Sequence, residues 1–246
     1  MGELIAVLSG KGGTGKTSVC AGIATALAEA GKTVLCIDCD VGLRNLDISL
    51  GLSDSGALSF LDVSEEHYPV DRAAKHPTYP NLSFLTAPMN RPVEKVDAAA
   101  FAKMLRQARQ EFDYIFLDAP AGVDAGFRLV ASAAERFLLV TGSGPAAVRD
   151  AARVGDLLEL MGKHDVRLIV NRVSKEFLST VRLTIDDVMD TAGLPLTGII
   201  PEDGNVTLAA SFGAPVLKYA KRSPAAKAYR RIAKRVQGFS EPITLR

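Results

Sequence analysis

Cysteine is scarce in this chain of 246 residues: three occur, Cys20, Cys36 and Cys39, all before residue 40. An odd number argues against a disulfide framework. Cys36 and Cys39 make a C-x-x-C, a spacing that metal and redox sites use. On an extended strand, however, residues three apart point to opposite faces, so the pair reads as small buried hydrophobes at a strand end. No run of eighteen apolar residues exists, so no transmembrane helix is expected. No basic leader precedes the first apolar run, which argues against a signal peptide and for a cytoplasmic protein. N-myristoylation at Gly2 would want Ser or Thr at position 6, which is Ala6 here. Internal repeats and low-complexity linkers are also missing.

What is present suits one globular domain over residues 1–246 with a short tail at 239–246. Apolar residues make up 48% of the chain and charged residues 23%, enough of each for a large core with a soluble surface. The net charge of +1 conceals an asymmetry, because residues 218–246 hold nine Lys or Arg against one acid, Glu241. Such an end suits an acidic partner, an anionic membrane surface or nucleic acid.

Apolar runs of strand length fall at residues 4–8, 33–38, 82–87, 114–118, 137–141, 167–171 and 197–200. Helical spacing of apolar residues fills 16–30, 98–111, 146–162 and 180–192. Strands that are apolar throughout and separated by helices predict an α/β fold: a doubly wound, mostly parallel sheet of about seven or eight strands, covered on both faces. Residues 64–81, with Pro69, Pro77 and Pro80, read as an irregular excursion. Ligands of such sheets bind at the carboxyl ends of the strands.

The charged and glycine-rich segments fall at that edge. Gly10-Lys11-Gly12-Gly13-Thr14-Gly15-Lys16-Thr17 satisfies G-x-x-x-x-G-K-[ST] between a predicted strand and a predicted helix. Glycines let successive N–H groups turn inward as an anion nest, and the helix beginning near Lys16 adds its positive end. Lys16 would supply a cation to the phosphates of ATP or ADP, and Thr17 a hydroxyl to Mg²⁺. The predicted site runs on to Ser18. Asp118 closes the run Tyr114-Ile115-Phe116-Leu117, where a Walker B carboxylate sits, and Asp38 and Asp40 close the second strand on the same edge.

Lys11 makes the loop more specific. The run Lys11-Gly12-Gly13-Thr14-Gly15-Lys16-Thr17 resembles the deviant Walker A motif, K-G-G-x-G-K-T, of the MinD/ParA family. Asp38-Cys39-Asp40-Val41-Gly42, Asp118-Ala119-Pro120-Ala121-Gly122, Val148-Arg149-Asp150, Asn171-Arg172 and Ile200-Pro201-Glu202-Asp203 also look like that family, in order along almost the whole chain. The segment from Gly42 to Asp47 is most similar to its septum-site-determining branch.

The resemblance implies a P-loop ATPase that forms a homodimer around ATP and positions cell division, hydrolysing slowly until a partner protein completes the site. Lys11 would reach the partner's phosphates, Lys16 would hold the phosphates in cis, and Asp40 would orient the attacking water. Thr17 would bind Mg²⁺ directly, with Asp38 and Asp118 in its water shell. Asn171 and Arg172 would lie by the adenine, with Pro201 and Asp203 covering it. The loops after Asp40 and Asp118 would act as switches. An effector of the division machinery and a peripheral contact with the anionic inner face of the cell membrane are also implied.

Family members of this branch end in a short amphipathic membrane helix. Here residues 223–238 are amphipathic, with Ala225, Ala228, Tyr229, Ile232 and Val236 on one face and Lys227, Arg230, Arg231, Lys234 and Arg235 on the other. Two placements are open: on an anionic membrane, or as the last domain helix with its basic face in water. Other family roles compete: DNA partitioning through the basic end, regulation of flagellar number, and iron–sulfur carriage of the Mrp type. The carriers place a C-x-x-C late in the chain, and nitrogenase iron protein also needs later cysteines, so both are disfavoured, and nucleic acid is less favoured than membrane.

Overall fold

The structure, a computed structural model, describes residues 1–65, 68–89 and 91–244. Its elements run β1 (Glu3–Leu8), α1 (Lys16–Glu29), β2 (Val34–Asp38), α2 (Leu46–Leu50), α3 (Phe60–Ser64), β3 (Ala74–Lys75), β4 (Leu82–Leu85), α4 (Ala98–Glu111), β5 (Tyr114–Asp118) and α5 (Ala125–Ala133). They continue with β6 (Arg136–Thr141), α6 (Pro145–Leu160), β7 (Asp165–Val173), α7 (Lys175–Val181), α8 (Ile185–Ala192), β8 (Leu196–Pro201), α9 (Gly204–Ser211), α10 (Val216–Tyr219) and α11 (Pro224–Val236).

One eight-stranded sheet has the order β3-β4-β2-β5-β1-β6-β7-β8. All neighbours pair in parallel except β3 with β4. The strands are apolar throughout because both faces are covered. In β1, Leu4, Ala6 and Leu8 join the core under α4, α5 and α6, while Ile5 and Val7 join the core under α1 and α11. Cys36 and Cys39 divide between the same two cores, and all three cysteines are free and buried.

Two expectations change. The helix predicted over 180–192 is two helices. Arg182 ends α7 in the left-handed conformation (φ 53°), and Thr184 restarts the chain with a capping box to Asp187. Between 64 and 81 the excursion contains a 3-10 turn, Val70–Arg72, and the short edge strand β3.

The placement of α11 is also settled. Its apolar face lies in the core, where a methyl group on Gly198 would meet Ile232 at 2.3 Å. That face is therefore not available to a bilayer. Its basic side is partly engaged by the tail: Lys234 pairs with Glu241, Arg235 donates to the Glu241 carbonyl, and Arg231 donates to the Thr244 carbonyl at 3.2 Å. The last two residues of the predicted tail, 245 and 246, lie outside the described residues. No helix among the described residues is long and apolar enough to cross a membrane.

Candidate nucleotide site

The loop between β1 and α1 closes around its glycines. Gly13 (φ 80°) and Gly15 (φ 84°) adopt left-handed backbone, and Gly15 is the N-cap of α1. A Cβ on Gly15 would lie 2.3 Å from Asn171 Nδ2, whereas Gly12 and Gly13 face open space. The loop thus presents bare backbone on one side and is packed on the other. Asn171 Nδ2 donates to the Thr14 carbonyl at 2.8 Å, and Arg172 Nη1 to the Gly13 carbonyl at 3.2 Å. Both come from a break in the β7–β8 register between Val170 and Val173, where Arg172 has φ 55°. The irregularity turns two consecutive side chains toward the loop.

The two lysines of the loop are treated differently. Lys16 is buried, and its Nζ lies 2.6 Å from Asp118 Oδ1. Burial works to lower the Lys16 pKa, but the Asp118 carboxylate outweighs it by charge and hydrogen bond, so the ammonium titrates above its usual value. Burial pushes Asp118 above the usual carboxylate range, with Lys16 pulling it back. Lys11, by contrast, is exposed, and its backbone carbonyl is held by Ser9 Oγ at 3.1 Å.

Three acids crowd the same edge. Asp38 accepts from the Asp40 N–H at 2.9 Å and from the Leu46 N–H at 3.2 Å, so it ties down both ends of the loop between β2 and α2. Burial first, and the Asp118 charge second, raise its pKa to about 7. Asp40, half-buried, accepts from the N–H groups of Gly42 and Leu43, each at 3.2 Å. Buried carboxylates that repel one another in this way are eased by a cation. Asp118 Oδ2 and Thr14 Oγ1 are buried with no hydrogen-bond partner, one a spare acceptor and the other a spare hydroxyl. Among the described residues no group of three His, Cys, Asp or Glu side chains forms a metal cage. The donor set therefore fits Mg²⁺, which takes much of its octahedron from phosphate and water, and does not fit an ion needing a full protein shell.

Asn171, Arg172, Pro201 and Asp203, predicted as neighbours of a base, line one cavity of about 260 Å³ with Gly15 and Ser18. Asp203 Oδ1 caps α9 through the Asn205 N–H at 3.0 Å, and Oδ2 holds the Ala225 N–H at the start of α11 at 3.0 Å. Its acceptor capacity thus serves the fold. Three features escaped the sequence. The Lys16–Asp118 pair joins residues 102 apart. Arg44 (φ 48°) grips Thr86 Oγ1 with Nε at 3.2 Å and Nη2 at 2.9 Å, pinning the loop after β2 to the end of β4. Tyr229, read only as part of an apolar face, borders the cavity.

Residues 5–216 match the CobQ/CobB/MinD/ParA nucleotide binding domain family. The chain belongs to the MinD/ParA family. It is 38% identical to the septum site-determining protein MinD of Synechocystis, over 99% of this chain and 92% of the relative. It is 36% identical to that of Bacillus subtilis, over the same shares. The MinC:MinD cell division protein complex of Aquifex aeolicus contains a chain that superposes with a TM-score of 0.91 at 36% identity, covering 98% of each chain. MinD of Pyrococcus horikoshii complexed with Mg-ADP superposes with a TM-score of 0.83 at 28% identity, covering 96% of each. The eight-stranded sheet here is thus the MinD/ParA fold, and the glycine-rich loop after β1, the acids Asp38, Asp40 and Asp118 and the cavity lined by Asn171 and Asp203 stand together on one edge of it.

Proposed function

We propose that this chain is a MinD-like switch ATPase of cell division that binds Mg·ATP, dimerises with it and hydrolyses it. One observation carries the reading: the phosphate loop holds one lysine buried in cis against Asp118 and a second exposed at the loop's open side. A buried cation serves the chain's own phosphates. An exposed one beside open glycines is placed to reach those of a second copy, as an arginine finger would.

In this reading Gly10 to Ser18 cradle the phosphates. Thr17 would hold Mg²⁺ with its hydroxyl, with Asp38 and Asp118 in its water shell. Magnesium, when bound, spreads the charge of the phosphates and favours loss of the terminal phosphoryl group. Asp40 orients the attacking water, Lys16 moves from Asp118 toward the phosphates, and Lys11 of the partner copy completes the charge. Asn171, Arg172, Pro201 and Asp203 enclose the base. The loops after Asp40 and Asp118 sense the terminal phosphate. Hydrolysis is slow until a partner protein completes the arrangement. The Aquifex MinC:MinD complex supports an effector of the MinC kind. The chain works in the cytoplasm and touches the anionic inner face of the membrane through exposed cations such as Lys218, Lys221, Arg222 and Lys227.

Sedimentation velocity in Mg·ADP and in Mg·ATP tests the switch, and co-pelleting with anionic liposomes tests the membrane contact. A monomer in ADP, a dimer in ATP and pelleting only with ATP are expected. A species of unchanged mass in both nucleotides overturns the switch. Salt-sensitive binding to duplex DNA without pelleting would move the role to partitioning.

A further inference from the structure

One polar group on the base-side cavity serves no function assigned so far. Tyr229 of α11 is 1% exposed, yet it borders the cavity beside Gly15 and Ser18. Its ring lies against Gly22 of α1, where a methyl group would meet the ring carbons at 2.6 Å. That contact fixes the ring, and the missing side chain at Gly22 makes room for it. Buried tyrosines ordinarily find a hydrogen-bond partner for the hydroxyl. Here no described protein group bonds to it, and the cavity is the side left to it. Burial first, with the Asp203 charge adding, pushes the phenol well above its ordinary range, so it remains a proton donor at every working pH. The neighbouring polar groups are already engaged. Asp203 caps α9 and α11, Asn171 Nδ2 is bonded to the loop, and Arg172 is bonded to Gly13.

We propose that the Tyr229 hydroxyl is a specificity-determining donor that reads the nucleoside end of the ligand, bonding to a ring nitrogen of the purine. The proposal rests on the nucleotide reading above. A fixed ring pays little conformational entropy on binding, so the bond is worth its full neutral-pair value.

The test is Tyr229→Phe, titrated calorimetrically with Mg·ADP and with Mg·pyrophosphate. ADP carries the nucleoside; pyrophosphate occupies the phosphate loop without it. The variant is expected to bind ADP about 3- to 10-fold more weakly and pyrophosphate as the wild type does. Its melting temperature without ligand is expected to stay within about 2 °C of the wild type, because the hydroxyl has no protein bond to lose. The readout is a ratio of two affinities in one preparation, so a partly unfolded sample cannot imitate it. Unchanged ADP affinity overturns the proposal. Equal weakening of both ligands also overturns it, since Tyr229 would then act through α1 and the loop. A wild type that binds neither ligand overturns the nucleotide reading, and this proposal with it.

Discussion

Strand β5 is bracketed by two aspartates of opposite character. Asp113 precedes it, exposed, and accepts from Thr33 N–H at 2.9 Å and Thr33 Oγ1 at 3.0 Å. Those bonds, the backbone one foremost, hold its carboxyl below the usual range. Asp118 closes the strand, buried, with one oxygen on Lys16 and the other on nothing, and its pKa is raised. The rest of each edge follows suit. At the Asp113 end, Arg136 bridges Glu3 at 2.6 Å and Asp165 at 3.6 Å on the surface. At the Asp118 end stand the left-handed Arg44 and Arg172, the left-handed loop glycines and Asp38. One end of the sheet pairs its charges, with Arg136 Nε buried and held only by the longer ion pair to Asp165, and the other crowds its carboxylates and leaves Asp118 Oδ2 unbonded. Strain and unmet valence of that kind collect where a ligand is to supply what is missing.

The contrast breaks most sharply by truncation. Asp118→Ala strands the buried Lys16 ammonium and is expected to destabilise the nucleotide-free protein by about 3–5 kcal/mol in urea unfolding. Asp113→Ala, at the other end of the same strand, is expected to cost about 1 kcal/mol. Equal effects would erase the distinction. Gly15→Ala is expected next, at about 1–2 kcal/mol from its left-handed backbone alone, with a larger loss of nucleotide affinity because the new methyl displaces Asn171. The acids should also titrate in opposite senses. The folded pKa of Asp38, about 7, lies above its unfolded value, so the native state holds the extra proton between them. Its stabilising share is present at low pH and is lost as pH rises toward and through about 7, by about 1.4 kcal/mol per pH unit at most. Asp38→Asn should remove that slope when stability is followed from pH 5 to 8. Asp113, with its lowered pKa, should lose stability only as pH falls through the acidic range, so Asp113→Ala should leave the neutral slope intact. The smallest effect on stability is expected for Lys11→Ala, within about 0.5 kcal/mol, because the side chain is exposed.

The fold was largely legible because buried parallel strands are apolar on both faces and the helices between them keep their own period. β5 ran from Tyr114 to Asp118 as predicted, and α4 from Ala98 to Glu111. The two-residue β3 carried too little pattern to be seen. The stop at Arg182 depends on a left-handed arginine, which no residue preference announces, and the structure restarts the chain at a capping box from Thr184 to Asp187. Of the candidate site, the glycine-rich loop stood out by residue type, because a phosphate-binding turn would demand those residues. Asn171 and Arg172 carried no local signal beyond the family resemblance, since what brings them to the loop is a register break between strands. The pairing of Lys16 with Asp118 and the turn of Tyr229 toward the cavity are products of tertiary packing. The C-x-x-C is the reverse case, a motif whose residues the strand separates onto two cores.

In the proposed function the two loop lysines divide their work, Lys16 within the chain and Lys11 across to a second copy. The most direct test of that division is the mass of Lys11→Ala in Mg·ATP by light scattering, beside its ATP affinity by calorimetry. Affinity close to the wild type is expected, with a monomer in Mg·ATP where the wild type is expected to form a dimer. A Lys11→Ala protein that still dimerises with Mg·ATP would contradict the division.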